Sequence, residues 1–428
     1  MHTANCAKQG TFDKDLDEIV SSKPFRRLSN KSQVMVKPTR DHFRSRLIHT
    51  IEVNHIAIEI GNQLELNVPF ISAMAMGHDI GHTPFAHAGE RAIREILRRE
   101  LVATFNVQEK NLIDRNIFHH SSNSARILQN KYDSVQEATV SGVLTHSWAP
   151  WKEKDDIKNP IPDTYEGQVV AIADQIASIN HDTEDIIEGK AYTNYDATKF
   201  SQELKKYIKG KKEIPDFLDV KLGSFLNVAE PGYGRSTRIN MIVKDVTDSA
   251  KAIIKKNSVN SSTASKEYPI IPSPDWCLFL MYYEKFIREI IVQRESWFVG
   301  RDSIAEALVS TVFNHIWPKF KTGQDQQQSF FEEESSRKRV EEETLSIDHY
   351  KKFYNDEYGQ KSLADSLKKK YSSITTWDNY IVSKIKDDII RDKSAQILRL
   401  ISIIDFVSGL TDRYCQEIFD RVYHEFSI

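Results

Sequence analysis

The chain has 428 residues, with 58 Lys and Arg against 61 Asp and Glu and a net charge of -3, so no global charge directs it to nucleic acid or a membrane surface. It is long enough for one large helical domain with extensions, or for two to three units with a substantial core. Its three cysteines, Cys6, Cys277 and Cys415, are far apart and form no C-x-x-C pair, which argues for a reducing compartment and against a disulfide framework or a zinc ribbon.

Residues 1–24 read as a polar, mixed-charge lead-in without the apolar core of a secretory signal. Further on, no apolar run approaches the ~18 residues of a membrane helix, and Leu398–Leu410 is broken by Arg399 and Asp405. The expectation is a soluble, cytoplasmic protein with no membrane partner. Arg26, Arg27, Arg40, Arg44 and Arg46 lead into a helix in which His49, Val53, Ile56, Ile60 and Leu64 line one stripe. His49 therefore faces the interior, with Arg46 one turn earlier.

Phe70–Met76 is an apolar helix predicted to stop near His78-Asp79. The sixteen residues Ala75–Glu90 hold His78, Asp79, His82, His87 and Glu90, interrupted by glycines and Pro84. Helical spacing resumes over Ala86–Leu101, giving helix, tight polar turn, helix. Taken alone, His78-Asp79 reads equally as a capping pair at a helix end or as metal ligands, since neutral nitrogen and anionic oxygen together suit a divalent cation.

Residues 111–132 read as a loop entering a helix near His119 and His120, and 152–167 as a charged, proline-bearing connection. The apolar helix that follows carries Asp174, Ser178 and Asp182 on one face at i, i+4 and i+8. A carboxylate among Val, Ile and Ala must be paired, protonated or bound to metal. Gly232 and Gly234 match no phosphate-binding spacing. Residues 257–274 read as a loop, Trp276–Val292 as an aromatic helix, 323–344 as a Gln/Glu/Ser-rich stretch, and 388–426 as one last long helix. Alternating strand patterns are scarce and no repeat is evident, so the class is all-α.

His49, His78, Asp79 and Asp174 make a set of two imidazoles and two carboxylates that leaves coordination positions open for water and substrate. His82, His87, Glu90 and His120 would surround those positions. The arginines ahead of His49 offer planar forks that match phosphate oxygens. Together these describe hydrolysis of a phosphoester or phosphoanhydride.

The order H…HD…D resembles the HD-domain phosphohydrolases. Arg27-Leu28-x-x-Lys31-Ser32-Gln33-Val34, Arg44–Val53, the block His78–Glu90 and Gly409-Leu410-Thr411-Asp412-Arg413-Tyr414 resemble the dGTP triphosphohydrolase-like dNTPases, in that family's order. The resemblance implies an HD-domain helical fold at 25–200, with a helical region at 201–428 completing the nucleotide pocket and oligomer contacts. It implies a divalent ion at His49, His78, Asp79 and Asp174, Mn²⁺ or Mg²⁺ first, with Fe, Co, Ni or Zn as alternatives. His87 with Glu90 corresponds to the pair that protonates the leaving group or handles the attacking water. His82, His120 and Arg46 correspond to phosphate contacts, and Gln33 and Asp182 to positions near the sugar. The implied reaction is water attack on the α-phosphorus of a dNTP, releasing deoxynucleoside and triphosphate. A homo-oligomer, hexamer or tetramer, with an effector dNTP at a subunit interface is also implied.

This sequence departs from the family pattern in three places. Ser178 stands where a Tyr is usual, Ile291 or Val292 where another sugar-contacting Tyr is usual, and His119-His120-Ser121-Ser122-Asn123 replaces a His-Asn pattern. The base and sugar are therefore open. Two other readings remain: an HD hydrolase of a ribonucleotide, monophosphate or alarmone, and a nucleotide-sensing assembly protein that binds single-stranded nucleic acid through its arginines.

Overall fold

The computed structural model describes residues 6–33, 44–132, 134–151, 160–188, 196–209, 233–257, 266–292, 296–321 and 376–425. Arg40, Gly232, the charged segment 152–159, the middle of the 257–274 loop and the whole 323–344 stretch lie outside them. The fold is all-α, with no β-strand among the described residues. No helix there is long and apolar enough to cross a membrane.

In chain order the helices are α1 (Cys6–Ser21), α2 (Lys23–Arg27), α3 (Arg46–Gln63), α4 (Val68–Gly77), α5 (Ala86–Phe105), α6 (Asp114–Ile117), α7 (His120–Lys131) and α8 (Glu137–Thr145). They continue with α9 (Tyr165–Glu188), α10 (Ala197–Lys209), α11 (Tyr233–Asn257), α12 (Pro274–Lys285), α13 (Ser296–Lys321), α14 (Trp377–Lys384), α15 (Asp387–Gly409) and α16 (Asp412–Glu425). The chain divides into two compact units. The first comprises Met1–Ser21, Gln33–His78 and Ser134–Arg301; the second comprises Ser22–Ser32, Asp79–Asp133 and Asp302–Ile428.

In the first unit α3 packs on α4 and α9, and α4 also packs on α1, α8 and α9. Residues 167–174 of α9 are buried without interruption, as expected of a helix apolar on every side. Burying Val169, Ile172 and Ile176 stabilises the unit by about 1.5–3 kcal/mol each. Asn67 caps α4 by accepting from the Phe70 N–H at 3.2 Å, and Pro69 in the first turn has no N–H to lose.

The polar lead-in expected over 1–24 is helical from Cys6 and docks on α4. Phe12 stacks on Phe70 with ring centroids 4.3 Å apart, Ile19 is fully buried, and the Asp15 carboxylate accepts from Thr139 Oγ1 at 2.6 Å. Few apolar residues among many charges hid this face from a composition-based reading. The aromatic helix expected over Trp276–Val292 is α-helical to Lys285, then widens into a π-helical turn, Phe286–Val292.

In the second unit α5 packs on α15 and α6, and α14 packs on α6 and α15. The single helix expected over 388–426 is interrupted twice, by a kink at Lys393 (φ -116°, ψ 21°) inside α15 and by a break after Gly409. Helix α15 ends at Gly409, Leu410 is extended (φ -62°, ψ 152°), and Thr411 Oγ1 accepts from the Tyr414 N–H at 3.3 Å to start α16. Apolar periodicity crosses this break because both helices bury one face.

Two glycines separate a rigid neighbour from a yielding one. A Cβ on Gly81 would meet the Ser124 backbone N at 2.2 Å, whereas one on Gly142 would meet the Met74 Sδ at 2.0 Å. Backbone cannot step aside and a Met side chain can. Gly81→Ala is expected to cost about 1–3 kcal/mol and Gly142→Ala clearly less, read from urea midpoints at unchanged slope.

Candidate functional site

In the first unit the chemistry-bearing side chains gather around Asp174 on α9. His49, on α3, places Nε2 3.0 Å from Asp174 Oδ1, and His78, at the end of α4, places Nε2 3.8 Å from the same oxygen. All three residues are buried. Burial alone would raise the Asp174 pKa, but the His49 hydrogen bond and the nearby His78, His49 and His146 imidazoles hold it well below the ordinary carboxylate range.

The apolar run of α4 delivers His78 to its C-cap, where Nδ1 donates to Ala75 O at 2.6 Å. That bond makes Nε2 the acceptor nitrogen, turned toward Asp174. His49 is oriented by a relay, with its Nδ1 3.1 Å from His181 Nδ1 and His181 Nε2 hydrogen-bonded to Glu52. A carboxylate and carbonyls behind imidazoles that face another carboxylate is the donor chemistry a divalent cation requires. The group formed by His78, His146 and Asp174 has its ligand atoms within 4.8 Å of one another.

The other first-unit candidates are arranged around this group without all joining it. Arg46 is buried and donates to Gln33 O at 3.3 Å. Asp182, two turns beyond Asp174, is half-buried, and burial beside Asp185, Glu284 and Asp174 pushes its carboxyl well above the ordinary range. Ser178 lies 3.4 Å from Asp174 Oδ1, so a small hydroxyl occupies that position on α9. Arg44 is committed to ion pairs with Glu184 and Asp185, the latter at 3.2 Å, and so serves the unit's own acids.

In the second unit Asp79 Oδ1 is 3.6 Å from His82 Nε2. Its centre is Glu90 on α5. The buried Glu90 carboxylate accepts from the His120 N–H at 2.6 Å and His120 Nδ1 at 3.1 Å, while its other oxygen takes His87 Nδ1 at 2.9 Å. Burial opposes ionisation, yet His120 and His119, with hydrogen bonds from His120 and His87, hold Glu90 well below the ordinary range. Both rings thereby commit Nδ1, and not Nε2, to Glu90. His87 has 65% of its side chain exposed, which allows it to exchange protons with solvent or substrate. His82 and His120 stack at 4.0 Å, and His82, His87 and His120 bring ring nitrogens within 4.8 Å of one another.

The turn that carries these histidines is strained. Phe85 and Ala86 both hold positive φ, 60° and 52°, which costs non-glycine residues of order 1–3 kcal/mol each. Asp412 secures the turn by accepting from the Phe85 N–H at 2.8 Å and from Ser32 N at 3.0 Å, and Lys31 Nζ donates to His82 O and, at 3.1 Å, to Ser408 O. Lys31-Ser32 and Asp412 are thus positioning residues for the histidine cluster.

Sequence reasoning missed His146, His181, Glu52 and the structural duty of Asp412. His146 offers one signal in retrospect: like His78, it directly follows an apolar helix. It lacks the acidic neighbour that singles out His78.

The HD domain family profile matches residues 46–179. Among curated proteins the chain is similar to a deoxyguanosinetriphosphate triphosphohydrolase-like protein of Caldanaerobacter subterraneus subsp. tengcongensis, 40% identical over 199 residues, covering 45% of this chain and 51% of the relative. It is also similar to a protein of the same name from Clostridium tetani, 34% identical over 260 residues, covering 60% of this chain and 61% of the relative. A third, from Rickettsia canadensis, is 32% identical over 197 residues, covering 42% of this chain and 48% of the relative. The matched stretch thus spans between about half and three fifths of these relatives' lengths.

Proposed function

We propose that the chain, whose residues 46–179 match the HD domain family and which is similar to dGTP triphosphohydrolase-like proteins, hydrolyses a deoxynucleoside triphosphate to deoxynucleoside and triphosphate, using a divalent cation held by His49, His78, Asp79 and Asp174. The observation that carries this reading is the buried Asp174 carboxylate faced by two imidazoles whose tautomers are set by hydrogen bonds behind them. Asp79 enters as the residue peptide-bonded to His78. When bound, such a cation supplies Lewis acidity toward a phosphoryl oxygen and a water acidified to near neutral pH.

The chain's own groups handle the proton. Water oxygen bonds to the α-phosphorus and releases a proton to solvent, the bond from phosphorus to the 5′-oxygen breaks, and His87 Nε2 gives its proton to that leaving oxygen. Glu90, hydrogen-bonded to His87 Nδ1, stabilises the imidazolium before transfer and keeps the ring aimed. His82, His120 and Arg46 contact phosphate oxygens in this scheme, and Gln33 and Asp182 contact the sugar. A homo-oligomer with an effector dNTP at a subunit interface belongs to the same proposal.

The test is incubation with each dNTP and Mn²⁺ or Mg²⁺, with and without the other dNTPs as effectors, measuring triphosphate and deoxynucleoside. Equimolar release of both is expected; absence of triphosphate under every combination would overturn the reading. His87→Ala is expected to lower turnover by ~10²-fold or more while leaving bound metal unchanged. Ser178 favours a second reading in which the chemistry stands but a ribonucleotide is accepted, because no ring occupies that position on α9 to exclude a 2′-hydroxyl. Paired deoxy and ribo substrates separate the two.

A further inference from the structure

We propose that His146 is a third imidazole ligand of the cation in the first unit and tunes that centre toward nitrogen-preferring transition metals over Mg²⁺. This rests on the metal reading given above and extends it to a residue outside the H…HD…D set.

His146 repeats the placement of His78. Each lies at the C-cap of a short apolar helix, α4 for His78 and α8 for His146, and the two helices pack on each other. Each donates Nδ1 to the carbonyl three residues back at 2.6 Å, Ala75 O for one and Val143 O for the other. Both rings are therefore the tautomer whose Nε2 carries a lone pair. The rings meet edge to face at 5.0 Å and 80°, both fully buried.

The ligand atoms of His78, His146 and Asp174 lie within 4.8 Å of one another, and the Ser147 hydroxyl is 3.4 Å from His146 Nε2. Ligands about 2.1 Å from one ion lie roughly 3–4 Å apart, so side-chain adjustment within this group can bring all three to bonding distance. With His49 also on Asp174, the first unit offers three imidazoles and one carboxylate. Imidazole-rich sets suit Mn²⁺, Fe²⁺, Co²⁺ or Zn²⁺, whereas Mg²⁺ prefers oxygen and retains its waters.

The experiment loads the full-length protein with Co²⁺ or Mg²⁺ and measures metal per chain and affinity by chelator competition, for wild type and His146→Ala. The expected result is a 10- to 100-fold loss of Co²⁺ affinity with a much smaller change for Mg²⁺. Equal Co²⁺ affinity in the two proteins would overturn the assignment. X-ray absorption of Co²⁺ bound to wild type answers the question even if the variant fails to fold: three imidazole ligands support the proposal and two overturn it. Wild type that retains no cation overturns the metal centre itself, whereas wild type that binds with His146 uninvolved removes only this inference.

Discussion

Asp174→Asn is expected to abolish retention of the divalent cation and to lower triphosphate release by ~10³-fold or more. Both His49 and His78 face the Asp174 carboxylate, at 3.0 and 3.8 Å. An amide keeps the shape and loses the charge. The electrostatic stabilisation a cation gives a developing phosphate charge is several kcal/mol, and each 1.36 kcal/mol is tenfold in rate. Asn is preferred to Ala because the buried volume is preserved and the helix remains packed. Elemental analysis of the purified variant and a dNTP assay together check the expectation; a variant that keeps both its metal and its turnover would remove Asp174 from the centre. Circular dichroism serves as the folding control.

The largest expected loss of stability comes from a residue to which no chemistry is assigned. Arg126 on α7 is buried, with Nε donating to Asp378 Oδ2 at 2.6 Å and Nη2 to Asp405 Oδ2 at 3.0 Å, and its guanidinium lies 5.0 Å from the Trp377 ring centroid. Arg126→Met would leave two largely desolvated carboxylates without their counter-charge. Breaking a buried pair on one side costs about 3–5 kcal/mol, far more than the pair contributes against an apolar replacement of both partners. Urea denaturation of the second unit's signal, followed by Trp377 fluorescence, should report that loss. Adding Asp378→Asn and Asp405→Asn to the variant should recover much of it, because the penalty lies in the stranded charges. A loss below about 1 kcal/mol in the single variant would show that water reaches this network.

Helix existence was readable because apolar spacing reports burial directly. The stripe of His49, Val53, Ile56 and Ile60 is buried as that spacing implies, and α9 is the apolar segment in which Asp174 had to be satisfied. The match to the HD domain family was readable for a related reason: the block from His78 to Glu90 packs metal-type and proton-transfer residues too densely to suit a helix cap alone. Element ends were less legible. The C-terminal helix breaks at Leu410 because Thr411 offers a better start for α16 than continuation does, and that contest between neighbouring caps leaves the apolar period intact.

From its own order of residues, then, this chain determined that it is helical, that residues 46–179 match the HD domain family, and which imidazoles and carboxylates were available for chemistry. Only the tertiary structure decided that His146 lies against His78, that His181 and Glu52 stand behind His49, and that Asp412 holds the strained turn at Phe85. The physical reason is range. Periodicity and capping act over a few residues, whereas these contacts join segments from 68 (His78 to His146) to 327 residues apart (Phe85 to Asp412), and they exist only once helices with different apolar faces have packed.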